Sequence, residues 1–235
     1  MSIIAYDFKG NVITDIYDWT DDLPSEHEFT KNYCGITLKK GTKIYKGSSG
    51  HINKNMYFDE FSERRSDRVC VWLSNIKSSI EYGGGNIHEF ILTRDITLFK
   101  MDCIGNFNIL DNYDVDTSKS FKYDPKENII RRGENANADL KLAMWFKENM
   151  NKFDGWFHNT IKIIDSGECK LSPEIMLCIP DECLTFSRYL YCGFNDMTYN
   201  QIIESIYNKR NSMIQKRKYH EEKEQRKAKR RRMII

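Results

Sequence analysis

The chain has 235 residues, of which 40% are hydrophobic and 13% aromatic, and its formal net charge is only +2. This composition fits a folded globular protein with a sizeable core. No apolar run approaches the roughly 20 residues that a membrane-spanning helix needs, so no membrane partner is expected. The first ten residues lack the basic and apolar regions of a secretory signal.

The N-terminal half is predicted to alternate short strands with turns. The predicted strands are 2–8, 11–16, 36–38, 43–45, 68–73, 88–92 and 96–101. A turn at Lys9-Gly10-Asn11 makes a hairpin of the first two, and the last two are expected to pair with each other. Residues 74–82 are predicted to form a helix that ends at Gly83-Gly84-Gly85.

The C-terminal half is predicted to hold one insertion, further strands and two helical regions. Residues 104–135 are rich in Asn and Asp and lack periodicity, which indicates a long loop. Helices are expected at 140–150 and 198–232. Strands are expected at 153–157, 174–179 and 184–191. The pattern favours a mixed, strand-rich α+β domain over residues 1–200, with a split β-sheet and a few helices.

Residues 201–235 form the second predicted unit, a basic tail that is helical or disordered. From Lys209 onward there are twelve basic and three acidic residues, a net of +9, so the total of +2 leaves −7 for residues 1–208. The run from 227 to 232 is typical of a nuclear-import or nucleic-acid patch, and a solvated helix end is the alternative. Nucleic acid is therefore a possible partner of Lys227, Lys229, Arg230, Arg231 and Arg232.

The cysteines predict neither zinc binding nor a disulfide framework. Seven are present, an odd number, and no CxxC pair occurs among them. Cys70 and Cys178 lie in apolar runs typical of buried residues. His51, His88 and His158 also lack metal-ligand spacing, so no metal site is expected. An intracellular, reducing compartment is expected, with a nuclear or virion location open, and the richness in Ile, Asn and Lys would suit a large DNA virus or a parasite.

Three segments carry the chemistry by their order and spacing. They are Lys43-Ile-Tyr-Lys-Gly-Ser-Ser49, Val71-Trp-Leu-Ser-Asn75 with Tyr82 beyond it, and Ser172-Pro-Glu-Ile-Met-Leu-Cys178. Each is predicted to be a strand, or a strand leading into a helix, with a small or polar residue at one end. Such an arrangement is typical of a cleft that holds a dinucleotide.

These segments resemble the motifs of the ADP-ribosyltransferase superfamily. Residues 44–48 are similar to its first-strand motif, where an apolar pair precedes His or Arg and then Gly and Ser or Thr. Residues 71–82 resemble the second motif, in which a strand ending in Ser leads into a helix that ends in Tyr. Residues 154–156 with 172–177 resemble the third motif, where a strand presents a Glu. The resemblance covers residues 40–180 and implies a fold of two facing β-sheets around a cleft.

The resemblance implies a role for each matched residue. Glu174 would hold a ribose hydroxyl of NAD and stabilise the positive charge that develops on the sugar. Ser74 would orient either the ribose or Glu174. Tyr82 would stack on the nicotinamide ring. Gly47 would pair with the carboxamide through its backbone, and Ser48 belongs to the same cofactor-binding segment.

Lys46 stands where the family has His or Arg. Lysine can donate to a hydroxyl or a phosphate but lacks the planar fork of arginine. Structural interpretations also stay open for the other matched positions. Glu174 could be a solvated strand end, Ser74 a helix N-cap and Tyr82 a packing residue at a helix C-terminus.

Three functional hypotheses follow. The first is an NAD-dependent ADP-ribosyltransferase acting on protein or nucleic acid. The second is a catalytically inactive binding module of the same fold. The third is a structural protein whose basic tail binds nucleic acid.

Overall fold

The computed structural model describes most of the chain, and the statements below concern this part. The described residues are 2–22, 35–49, 71–100, 121–124, 129–132, 146, 148, 152–163, 169–194 and 197–232. Predictions that fall elsewhere, including those for Arg68, Cys70 and His51, lie outside it.

Twelve strands and three α-helices are described, with one 3-10 turn at Trp19–Asp22. The strands are β1 Ile3–Tyr6, β2 Val12–Ile13, β3 Ile36–Leu38, β4 Lys43–Gly47, β5 Val71–Ser74, β6 Asn86–Leu92, β7 Ile96–Lys100, β8 Phe121–Asp124, β9 Ile129–Arg132, β10 Gly155–Ile163, β11 Cys169–Leu177 and β12 Leu184–Phe194. The helices are α1 Ile76–Gly83, α2 Pro180–Cys183 and α3 Tyr199–Arg232. The prediction of a strand-rich α+β protein is confirmed.

Ten strands form one sheet in the order β2-β1-β12-β6-β4-β5-β11-β10-β7-β3. All pairings are antiparallel except that of β7 with β10. The two halves of the sheet meet between β4 and β5, where Tyr45 opposite Ser74 is the paired position. The resemblance implied two facing sheets. In the structure the junction instead joins the two halves into one continuous hydrogen-bonded sheet.

The hairpin of β1 and β2 is confirmed, whereas the expected pairing of β6 with β7 is wrong. β6 has β4 on one edge and β12 on the other, so neither edge is open to its neighbour in sequence. β7 crosses to the other half of the sheet, where Asp154 fixes its start. One carboxylate oxygen of Asp154 accepts a hydrogen bond from Thr97 N at 2.8 Å, and the other pairs with Arg94 at 2.7 Å.

The core lies along the sheet and beneath the helices. Its largest fully buried side chains are those of Trp19, Tyr45, Phe90, Phe146, Trp156 and Phe157. Of the predicted helix at 140–150 only residues 146 and 148 are described, and Phe146 packs on Phe99 and Trp156. The expected loop at 104–135 contains the hairpin of β8 and β9, so it is not loop throughout.

Helix α3 confirms the helical form of the tail. Thr198 and Gln201 make a reciprocal cap, because Thr198 N donates to Gln201 Oε1 at 2.7 Å and Gln201 N donates to Thr198 Oγ1 at 3.4 Å. Ile202 is fully buried beside Gly193 and Gly85. The helix therefore runs without a break across residue 200, and its first turns pack on the domain. No described helix is long and apolar enough to span a membrane.

An ion network ties the segment after β2 to three strands. Asp15 pairs with Lys43 at 2.9 Å and with Arg188 at 2.8 Å, and Arg188 also pairs with Glu89 at 3.0 Å. Glu89 is almost fully buried and also accepts a hydrogen bond from the Ser187 hydroxyl at 2.8 Å. Hydrogen bonds from Lys43 and then Arg188 lower the pKa of Asp15 to about 2.

Asp15→Asn should destabilise the protein at pH 7 and much less at pH 2. A carboxyl whose pKa is lowered on folding stabilises the fold above its ordinary pKa, and this stabilisation is lost as the pH falls through about 2. Asp15 is mostly exposed, so the expected loss at pH 7 is modest, about 0.5–1 kcal/mol. Chemical unfolding across this pH range measures it. Glu221→Gln, which removes an exposed ion pair on α3, is the control. A difference from wild type that stays constant with pH would contradict the assignment.

Candidate active site

Helix α1 begins at a polar cap directly after β5. The Asn75 side chain accepts a hydrogen bond from Ser78 N at 2.9 Å and donates to Asp18 at 3.1 Å and to Thr20 at 3.3 Å. The interpretation of Ser74 as the N-cap is therefore wrong, since the next residue caps the helix. The predicted end at the glycines is confirmed, because Gly84 adopts the left-handed conformation with φ 65°.

Two glycines allow α1 to lie directly against the end of β4. A Cβ atom on Gly47 would stand 1.9 Å from the carbonyl oxygen of Ser79, and one on Gly83 would stand 2.7 Å from Ser48 N. Backbone therefore meets backbone here, and only glycine fits at either position. This contact explains the glycine of the first motif by packing, independently of any ligand.

The site is centred on Glu174, which lies in the interior of β11 and is 5% exposed. The interpretation of Glu174 as a solvated strand end is wrong. Glu174 stands opposite Ser74 on β5, so the two side chains share a face of the sheet. The Tyr82 hydroxyl, from the last turn of α1, donates a hydrogen bond to the Glu174 carboxylate.

Ser74 is held from two directions. Its hydroxyl lies 2.7 Å from that of Ser79 on α1, and its carbonyl oxygen accepts a hydrogen bond from the buried Trp19 indole at 3.2 Å. Glu174, Ser74 and Tyr82 are thus brought together from a strand, a neighbouring strand and a helix. This is the part of the predicted site that the geometry assembles.

Lys46 takes a different direction from Gly47. Successive side chains of a strand point to opposite faces, and the Cβ position of Gly47 faces α1. Lys46 therefore points to the other face, where it stands opposite His88 of β6. Both side chains are buried, with 8% of Lys46 and 3% of His88 exposed. Sequence reasoning treated His88 as ordinary and missed this neighbour of Lys46.

The backbone of Gly47 is directed toward the junction of the two sheet halves. Ser48 N donates a hydrogen bond to Asn86 O of β6 at 3.0 Å. Every second residue of β4, counted back from Ser48, therefore also directs its backbone N–H and C=O toward β6. The alternation of an antiparallel ladder then turns the N–H and C=O of Gly47 toward the β5 side. A ligand that bound along the β5 side of β4 would therefore meet this backbone.

Two of the described cysteines, Cys183 and Cys192, are poor nucleophiles. Cys178, Cys183 and Cys192 are free and buried, and burial raises the pKa of the Cys183 and Cys192 thiols to about 12. Among the described residues no cluster of three or more His, Cys, Asp or Glu side chains could hold a metal ion. The ionisable chemistry brought together at this junction is that of Glu174 and Tyr82.

Comparisons of the chain with protein-family models, with curated proteins and with solved structures return no match. The relationship suggested by the three motifs therefore depends on the residues and their geometry.

Asn75→Ala should lower the free energy of unfolding by about 1–2 kcal/mol, because it removes the cap of α1 and the bonds to Asp18 and Thr20. Asn75→Asp keeps an acceptor for Ser78 N but places a second carboxylate against Asp18. Its destabilisation should therefore be large at pH 7 and smaller at pH 4, whereas that of Asn75→Ala should change little. Chemical unfolding at the two pH values measures this, and two parallel pH profiles would show that Asp18 is not its partner.

Proposed function

We propose that this protein is an NAD-dependent ADP-ribosyltransferase with its active site at the β4–β5 junction. The observation that carries the proposal is the buried Glu174 carboxylate, held by the Tyr82 hydroxyl and placed beside Ser74. These are three of the residues that the motif resemblance assigns to catalysis and nicotinamide binding.

The chemistry asked of this site is substitution at a sugar carbon. The bond between the nicotinamide nitrogen and the ribose breaks, nicotinamide leaves with the bonding electrons, and a nucleophile of the acceptor forms the new bond. Positive charge develops on the ribose as the first bond lengthens. A fixed carboxylate in a poorly solvated position stabilises that charge more than water does.

The remaining motif residues would bind the substrate. The backbone of Gly47 faces the junction, where it can pair with the nicotinamide carboxamide. Tyr82 is half-buried and can offer part of its ring to nicotinamide while its hydroxyl positions Glu174. Lys46 would act from the other face of β4, on a hydroxyl or a phosphate, and it belongs with Ser48 in the proposed cofactor-binding segment.

The second candidate function is an inactive binding module of the same fold. The observation that favours it is Lys46, which replaces the usual His or Arg of the motif and is buried on the face away from α1. Incubation with labelled NAD, with and without a mixture of protein and RNA acceptors, separates the two candidates. Label transfer or release of nicotinamide supports the enzyme, and NAD binding with neither supports the module.

Glu174→Gln should reduce the transfer rate by about 10²–10³ while leaving the Kd for NAD within about threefold of wild type. The amide keeps the shape and an acceptor for Tyr82 but removes the charge that stabilises the transition state. Single-turnover transfer measures the rate, and calorimetry measures NAD binding. Parallel loss of both would show that Glu174 shapes the site and has no catalytic role.

Tyr82→Phe and Tyr82→Ala separate the two uses of this side chain. The sequence predicts that the ring is sufficient, so Phe would be nearly silent, whereas the hydroxyl contact with Glu174 predicts a slower rate. We expect Phe to lower the transfer rate with little change in NAD affinity, and Ala to weaken both, since ring contacts contribute about 0.5–1.5 kcal/mol. If Phe matches wild type in rate, Tyr82 acts by stacking alone.

A further inference from the structure

Helix α3 is far longer than its contact with the domain. Its 34 residues extend for roughly 51 Å at 1.5 Å per residue. Ile202 is buried, Lys209 donates to the carbonyl oxygen of Glu81 at the end of α1, and residues 215–227 are all exposed. The outer half of the helix therefore projects beyond the body of the protein.

The charges of this outer half are sorted by the period of the helix. Residues seven apart complete nearly two turns and so fall on one line. Starting from the buried Ile202, that line passes through Lys209, Lys216 and Lys223 and reaches position 230. Lys227 lies about 20° from Lys216 around the helix axis, whereas Arg226 lies about 80° to one side.

The three acidic residues of the outer half lie off this line. Measured at 100° per residue from Lys216, Glu224 is rotated by about 80°, Glu222 by about 120° and Glu221 by about 140°. Glu221 pairs with Arg217 away from the line at 3.1 Å, and Glu224 reaches Lys227 of the line from its side at 2.7 Å. The outer half of the helix therefore has one face that carries lysines and no acidic residue. We define the basic line as Lys216, Lys223 and Lys227.

Two aromatic rings interrupt this line, and both are exposed. Tyr219 is 63% exposed, and its ring lies 6.0 Å from that of His220, edge to face. Both residues fall within about 60° of Lys216 around the helix axis. Basic groups interleaved with aromatic faces are the combination that binds phosphates and stacks unpaired bases.

We propose that the outer half of α3 binds single-stranded nucleic acid, with the phosphates along the basic line and a base stacked on Tyr219. An anionic membrane suits this helix less well. From residue 215 to 227 Tyr219 is the only large hydrophobic side chain, whereas a helix that lies on a membrane needs a continuous apolar face. A duplex lacks exposed bases for Tyr219 to stack on.

The basic line also leads from the outer half of α3 toward the body of the protein. It continues the face by which Ile202 and Lys209 contact the domain, and Lys209 contacts the end of α1 that carries Tyr82. A strand that follows the line inward thus arrives beside α1. The binding proposal itself does not depend on the transferase proposal.

Two charge-matched triple variants of the full chain test the proposal. Lys216→Gln with Lys223→Gln and Lys227→Gln removes three charges from the basic line. Arg217→Gln with Lys218→Gln and Lys229→Gln removes three charges from positions rotated by about 100–160° from Lys216. Circular dichroism at 222 nm checks that α3 stays helical in both.

Affinity is measured by fluorescence anisotropy with a labelled 20-nucleotide single strand from 50 to 300 mM salt. The line variant should bind at least tenfold more weakly, and its salt dependence should fall by about 2 in the slope of log K against log salt. The control variant should lose less than threefold. Tyr219→Ala should weaken single-strand binding about fivefold or more and leave the binding of a matched duplex unchanged.

Three results would overturn the proposal. The first is an equal loss of single-strand affinity in the two triple variants, which would show that only the net charge of the helix matters. The second is duplex binding at least as tight as single-strand binding, together with a silent Tyr219→Ala. The third is tighter binding to vesicles containing phosphatidylserine than to the oligonucleotide.

Discussion

The junction of β4 and β5 is the constraint on which the rest of this protein depends. A ten-stranded sheet is divided there into two halves whose direct backbone pairing is at Tyr45 and Ser74. Helix α1 reinforces the junction by resting on β4 through Gly47 and Gly83, at distances that no side chain would permit. The 3-10 turn also contacts the junction. Trp19 in this turn donates to the carbonyl oxygen of Ser74, and Asn75 donates to Asp18 directly before the turn. A junction with so little direct pairing leaves backbone groups of β4 directed at the place where a ligand could bind.

Burial of Glu174 at this junction is costly in itself. A carboxylate removed from water loses several kcal/mol of solvation unless hydrogen bonds replace it, and a fold that needed only stability would place an apolar residue there. The Tyr82 hydroxyl contributes one such bond. Glu174 is a functional candidate because its burial costs stability and because it lies beside Ser74. The Asp15–Arg188–Glu89 network is a separate set of charges, which links β12, β6 and β4.

One face of helix α3 is apolar and buried at its start and basic and exposed in its outer half. Ile202 contributes to the core and Lys209 contacts the end of α1, whereas Lys216 and Lys223 are exposed. The body of the protein carries a negative net charge and the helix a positive one. A polyanion is therefore attracted to the helix and repelled by most of the body, which would orient it on approach.

The sequence by itself determined the elements whose signals are local. The hairpin turn at Gly10, the end of α1 at the glycines and the long polar helix at the C-terminus all follow from residue type and period. The association of Glu174, Ser74 and Tyr82 was predicted too, through the order of the motifs, although each motif alone is weak. The heptad sorting of charges on α3 is readable in the sequence once the helix is known to be continuous.

Only the tertiary structure decided which strands are neighbours. The chain order suggests that β6 pairs with β7, yet these strands lie in different halves of the sheet because both edges of β6 are occupied. Only the register places Glu174 inside a strand opposite Ser74, and only the contact with α1 shows which face of β4 belongs to Gly47 and which to Lys46. The physical reason is that pairing and close packing join residues far apart in sequence, whereas turns, caps and helical periods are set by residues only a few positions apart.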